Sequence, residues 1–217
     1  PTTSLYCTAP DRLWPKDTPK KTRIASFDLT DPAQPTIRDL AANMNDSFYF
    51  RDLHVQGDFL YAAAFADGLV RMEVSNEGAL GQAVNAGYSG HVVQVVGSAN
   101  KLALLDSDRG LVLLDTQDLA PSELSFVELN GPLLDLAMDE SRVAVALGSM
   151  GVELMNHQSG TLKQVLSLQP QCVSTGVEFQ GDTLAVTCTS GIHLYRIAEG
   201  GAEKVGFVPS RYNMLDL

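Results

Sequence analysis

The chain is 217 residues long, 45% hydrophobic, 19% charged and 7% aromatic, a globular composition rather than a disordered or collagenous one. Its 15 Lys and Arg against 26 Asp and Glu leave a net charge of −11, which argues against nucleic acid or an anionic membrane surface as the partner. No stretch approaches the ~20 apolar residues of a membrane span, so a soluble protein is expected.

In chain order, the first 45 residues hold three extended stretches, TSLYCTA, RIASFDLT and TIRDLAAN. Residues 9–21 separate the first two and form the most distinctive local feature. This insertion carries the only Trp, three of the ten prolines and three of the six lysines. Its charge is +2, from Arg12, Lys16, Lys20 and Lys21 against Asp11 and Asp17. Proline restrains such a loop and so lowers the entropy lost on binding. Trp14 and Arg12 are of the types that dominate binding hot spots. An acidic or phosphate-bearing partner would suit the loop; the plain alternative folds it back, with Trp14 as a cap.

Four repeats follow, at 48–75, 91–117, 132–158 and 172–198. Each has an apolar stretch, a polar turn, a second apolar stretch, a turn ending in Gly and a third apolar stretch. A short fourth stretch follows each: LGQAVNAGY, LSFVELN, LKQVLSLQ and AEKVGFV. The turn glycines Gly68, Gly110, Gly151 and Gly191 are 42, 41 and 40 residues apart. A period near 40 with four strands per unit is the signature of a propeller blade. Glycine recurs there because a tight hairpin needs a residue with positive φ. The second strands, FLYAAAFA, KLALL, RVAVAL and TLAVTC, are apolar on both faces, as a strand packed between two neighbouring blades must be.

The ends set the blade count. The first 45 residues match the second to fourth strands of a blade, and RYNMLDL at 211–217 matches a lone first strand. The predicted fold is therefore all-β, a single five-bladed propeller of four antiparallel strands per blade. Blade one comprises 1–45 plus 211–217, and the others 48–89, 91–130, 132–170 and 172–209. Closing the ring by the C-terminal strand leaves no exposed central edge.

The segment Arg51-Asp52-Leu53-His54-Val55-Gln56-Gly57-Asp58-Phe59-Leu60-Tyr61-Ala62, continued by Asp67-Gly68-Leu69-Val70-Arg71-Met72-Glu73-Val74-Ser75, resembles the LVIVD-repeat group of bacterial propellers. The resemblance is best in that repeat and faint in the others. It implies an exported propeller and supplies no catalytic residues. The WD signature is absent: Gly90-His91 occurs once with no Trp-Asp after it. The kelch diglycine pattern is absent too, because Gly200-Gly201 falls in a third-to-fourth strand turn.

In a propeller, loops entering the first strands and the turns before the third strands crowd one face, where ligands sit. The residues expected there, besides those of the insertion, are Tyr49, Arg51, His91, Arg109 and Tyr212. The innermost strands bring Asp52, His54, Gln94, Asp135, Glu178 and Asp216. Carboxylates around one axis could bind a hard cation or raise one another's pKa. Their registers differ, however, with Glu178 and Asp216 two residues beyond Asp52 and Asp135. The plainer expectation is that they hydrogen-bond strand ends or channel water. Asp106-Ser107-Asp108-Arg109-Gly110 has a superficial likeness to a calcium loop but lacks its third ligand and terminal Glu. A hairpin turn is expected. The four histidines, His54, His91, His157 and His193, show no metal-ligand spacing, and no metal or cofactor is expected.

Cys7, Cys172 and Cys188 fit no zinc or CxxC pattern. If the chain is exported, Cys172 and Cys188 are the expected disulfide, lying diagonally across a hairpin that turns at Gln180-Gly181-Asp182. The absence of a leader is what a mature exported chain would show. Asn45-Asp46-Ser47 forms a glycosylation sequon of little weight. No Gly-x-Ser-x-Gly, phosphate-cradling loop or HExxH occurs. The function expected is therefore a non-catalytic binding platform for a protein partner. The alternative is a glycosidase- or lyase-type enzyme using channel-mouth carboxylates, with or without a divalent cation, and with two carboxyl groups about 5–10 Å apart. A lectin with one site per blade is disfavoured, because Tyr49, His91, Pro132, Val173 and Tyr212 sit at equivalent positions and differ.

Overall fold

The computed structural model describes residues 4–9, 23–41, 49–117 and 121–210. Their strands form five antiparallel sheets, and no helix occurs among the described residues. The first sheet has three strands in sequence order: β1 (Ser4–Ala9), β2 (Arg23–Asp28) and β3 (Thr36–Ala41). The second runs β4 (Asp52–Gln56), β5 (Phe59–Ala63), β6 (Leu69–Glu73) and β7 (Val84–Asn85). The third runs β8 (Val92–Ser98), β9 (Lys101–Asp106), β10 (Gly110–Asp115) and β11 (Ser122–Val127). The fourth runs β12 (Asp135–Met138), β13 (Arg142–Ala146), β14 (Val152–Asn156) and β15 (Lys163–Leu168). The fifth runs β16 (Ser174–Gln180), β17 (Thr183–Cys188), β18 (Gly191–Ala198) and β19 (Gly201–Pro209). Each apolar stretch of the repeat is thus a strand paired to the one before it. The expected LGQAVNAGY strand narrows to Val84–Asn85. Its flanks still follow β6 through Ala86 N–H to Leu69 O at 2.8 Å and Gly81 N–H to Glu73 O at 2.8 Å, but only the two residues keep ladder register.

The chain divides into two compact units, Pro1–Val95 with Leu119–Pro121 and Val96–Asp118 with Ser122–Leu217. In the first unit, Ile24 of β2 packs with Leu60, Ala62, Val70 and Met72 of the second sheet and with Phe50 and Ala83. In the second unit, Ala144, Ala146, Val152 and Leu154 of the fourth sheet pack against Val177, Leu184, Val186 and Tyr195 of the fifth. The second and third strands supply most of this core, and truncating one of their large side chains to Ala costs about 2–5 kcal/mol. The outermost strands β11, β15 and β19 are mostly exposed, which is why their sequences are more polar.

The recurring glycine answers to a tighter constraint than hairpin geometry. Gly68, Gly110, Gly151 and Gly191 all have positive φ, at 77°, 91°, 85° and 142°. In addition, a Cβ at these positions would lie 2.1 Å from Tyr88 O, 2.4 Å from Val127 O, 2.1 Å from Leu168 O and 2.1 Å from Val208 O respectively. Each of those carbonyls belongs to the fourth stretch of the same repeat. The fourth strand therefore crosses the turn at a distance only a hydrogen side chain allows. Gly200 has a similar φ of 86° with nothing within 4 Å of its would-be Cβ. Urea unfolding should separate the two effects. Gly200→Ala should cost about 1–2 kcal/mol, the strain of a left-handed L-residue. Gly151→Ala should cost about 2–5 kcal/mol, because overpacking adds to that strain.

Candidate functional site

The inner-strand carboxylates have structural partners. Asp52 Oδ2 accepts a hydrogen bond from Val95 N–H at 2.9 Å, and Asp135 Oδ2 accepts one from Val177 N–H at 2.7 Å. Both Asp residues stand sixteen positions before their repeat's turn glycine, and each reaches the innermost strand of the next sheet. They act as clasps between successive sheets, each holding an amide within the neighbouring strand rather than at a strand end. Glu178 is exposed on β16, and Asp216 lies outside the described residues. Asp106 is buried, and its Oδ1 accepts the N–H groups of Asp108 at 2.9 Å and Arg109 at 3.3 Å, closing the 106–110 segment as an Asp-stabilised turn.

Three histidines serve the interior. Burial holds His54 below its ordinary pKa. Burial, aided by the nearby Lys101 ammonium, does the same for His157, although the Asp139 carbonyl beside its ring works the other way. His157 Nε2 lies 2.9 Å from Asp139 O, and Lys101 Nζ donates to His157 O at 2.8 Å, tying the third sheet to the fourth. Burial and then the Lys204 charge hold His193 down. Cys172 and Cys188 are joined, with Cα atoms 5.8 Å apart. Ser174 is the register partner of Cys188, so Cys172 sits two residues off it on the diagonal. Cys7 is half-buried, and burial pushes its thiol pKa up.

The expected binding residues fall into three groups. Arg12, Trp14, Lys16, Lys20, Lys21 and Tyr212 lie outside the described residues, as does Asn45 of the sequon. Arg109 is in the second unit, its guanidinium bonded to both Glu123 oxygens at 2.6 and 2.9 Å and seated 4.5 Å over the Phe126 ring. Tyr49, Arg51 and His91, all in the first unit, are brought together by a residue the sequence reading did not single out, Phe65. The Arg51 guanidinium carbon lies 4.8 Å from the Phe65 centroid and 5.6 Å from that of Tyr49. Phe65 also neighbours the His91 ring, centroids 5.0 Å apart and planes at 34°. Tyr49 is 58% exposed and Arg51 is exposed too, so the row presents a cation held between aromatic faces to solvent.

Backbone bonds fix this row. Arg51 N–H donates to Ala63 O at 2.9 Å, which extends the β4–β5 ladder by one residue. Phe65 and Val92 exchange N–H to carbonyl bonds of 3.0 and 3.1 Å, which sets Phe65 beside His91. The same exchange recurs between Gly148 and Ser174 at 3.1 and 3.0 Å. Both Phe65 and Gly148 stand three residues before their turn glycine, and both have positive φ, 49° and 60°. Glycine adopts that conformation freely, whereas a bulky L-residue is strained there by about 1–2 kcal/mol. Phe65 is the only aromatic at this position among the four repeats, the signal that could have found it.

Two outcomes are expected. Asp135→Ala should lower stability by about 1–3 kcal/mol in denaturant unfolding, because it strips the Val177 amide of its acceptor. Asp135→Asn, which keeps an acceptor oxygen, should lose less. The depressed imidazoles of His54, His157 and His193 stay neutral in the folded chain and take up protons on unfolding below about pH 6.5. Stability is therefore complete above that pH and falls as the pH drops through it. Urea midpoints at pH 7.5 and 5.5 should show the lower value at 5.5.

The sequence matches no known protein family, and no curated protein matches it. Solved structures are similar in fold. One is a Bacteroides fragilis protein named as a candidate 6-phosphogluconolactonase, with TM-score 0.70 and 11% identity over 89% of this chain and 66% of that one. A chain of the COPII outer coat vertex gives 0.64 and 12% over 94% of this chain and 61% of its own. The computationally designed Ika4 protein gives 0.56 and 14% over 73% of this chain and 97% of its own. This chain thus spans about two thirds or less of the two natural neighbours. At these identities the likeness shows the fold alone: an all-β, repeated-sheet architecture of the propeller-like kind.

Proposed function

We propose that the five sheets are the blades of one closed five-bladed propeller, with residues 211–217 supplying the missing first strand of the first blade. We further propose that it is a non-catalytic platform for a protein partner. The partner would be gripped by the Tyr49, Arg51, Phe65 and His91 row together with the 9–21 insertion. The observation that carries this reading is Phe65. A strained aromatic is held where a homologous repeat position carries glycine, and it touches both an exposed Arg and a His. Tyr and Arg are the residue types enriched at interface hot spots, and a cation already seated on aromatic faces loses little freedom on binding. The Cys172–Cys188 crosslink is of the type that persists in oxidising compartments, which supports an exported protein.

The test compares capture by wild-type protein from an extract of its source cells with capture by Tyr49→Ala/Arg51→Ala, Phe65→Gly and a chain whose residues 10–20 are replaced by a short Gly-containing turn. One stoichiometric protein retained by wild type and lost by the two site variants would support the platform and locate its face. Phe65→Gly should change stability by less than about 1 kcal/mol, because relieved backbone strain offsets the lost ring contacts. Equal capture by all four proteins would sink the proposal.

A further inference from the structure

A second group of side chains lies apart from the aromatic row. Cys172, Cys188 and His193 offer two sulfurs and a ring nitrogen that all lie within 4.8 Å of one another. The register explains the convergence. Cys172 is diagonal to Cys188 across the β16–β17 pair. His193 is diagonal to Cys188 across β17–β18, where Cys188 pairs with Gly191 and Val186 with His193. The three side chains thus form one row on one face of the fifth sheet. Cys188 is fully buried, and His193 is 6% exposed. His193 is packed edge-on against Phe207 with centroids 4.7 Å apart. Its Nε2 lies 3.3 Å from Ser190 Oγ, but its Nδ1 is buried without a hydrogen-bond partner. Native cores leave few such atoms, and each one calls for an explanation.

We propose that these three residues form a metal site that opens on reduction: with the Cys172–Cys188 bond cleaved, two thiolates and the His193 imidazole bind one zinc ion. A dithiol reductant supplies two electrons and two protons. The sulfur–sulfur bond breaks to two thiols, and the reductant becomes its own disulfide. Zinc then displaces the two thiol protons to solvent. Two sulfurs and an imidazole are a donor set suited to this borderline-soft ion, with the fourth position left to water. Zinc–sulfur bonds of about 2.3 Å and zinc–nitrogen bonds of about 2.0–2.1 Å place tetrahedral ligand atoms about 3.5–3.8 Å apart. That spacing fits inside the present cluster once the sulfurs part. The same three residues therefore carry a crosslink in an oxidising compartment and a metal site in a reducing one.

The whole protein would be reduced, freed of reductant without air, loaded with zinc chloride, desalted and assayed for bound zinc. Cobalt(II) would replace zinc in a parallel run, where a thiolate charge-transfer band reports sulfur ligation. Reduced wild type should hold one zinc per chain and oxidised wild type none. Cys7→Ser should bind as wild type does. Cys172→Ser and His193→Gln should each weaken zinc binding at least ~10-fold. His193→Gln leaves the disulfide intact, so its oxidised form checks the fold by far-ultraviolet circular dichroism. Failure of the reduced wild type to bind zinc would overturn the site. So would equal binding by His193→Gln, equal binding by the oxidised protein, or loss of the strand signal on reduction.

Discussion

A sheet whose middle strands are apolar on both faces cannot persist with either face in water. That constraint underlies everything else in this chain. Burial of β5, β9, β13 and β17 is nearly complete along their lengths, so these strands need cover on both faces. Within the first unit Ile24 of one sheet fills the face of the next, and within the second unit the fourth and fifth sheets share one core. Polar bonds then fix the stacking that hydrophobic burial drives. Asp52 and Asp135 each hold an amide of the following sheet, and Lys101 holds the His157 carbonyl. Burial is non-directional, while these bonds set depth and register.

Much of this order was legible in the residues. The 42-, 41- and 40-residue spacing of Gly68, Gly110, Gly151 and Gly191 located the hairpins, and the doubly apolar stretches located the middle strands. The diagonal of Cys172 and Cys188 followed from counting back from the turn at Gly181. Long-range partners of single atoms were not legible. The turn glycine could be read as a φ requirement, but the carbonyl that presses on it comes from a strand about twenty residues later. Asp52 and Asp135 showed only charge and register in the sequence. Their acceptor role depends on an amide more than forty residues away, set by how the sheets stack. Arg109 stood at the expected face by its turn position, yet Glu123 and Phe126 hold its guanidinium.

Function in a repeat fold is carried by departures from the repeat. Positions that recur are those the architecture needs, so the glycine and the clasp residue report on stacking and not on ligands. Phe65 departs in a costly direction: it occupies a left-handed position bridged to the next sheet, where the fourth repeat uses Gly148. Packing alone does not account for the choice, since the ring is half-buried and its neighbours Arg51 and His91 are polar. Strain retained beside exposed cationic and aromatic groups is the pattern expected of a surface shaped for contact.

The position three residues before the turn glycine is Phe65, Ser107, Gly148 and Cys188 in the four repeats. It is the last residue of the middle strand or lies one or two residues past it, where the ladder with the third strand ends. Gly148 shows that the backbone there needs no side chain at all. A position without a fixed architectural duty can diverge between repeats without unfolding any of them. One divergence yields the ring that meets both Arg51 and His91, and another yields the sulfur that lies beside His193. The fold thus offers the same position once per repeat, and the aromatic row and the Cys172, Cys188 and His193 group each include a residue from it.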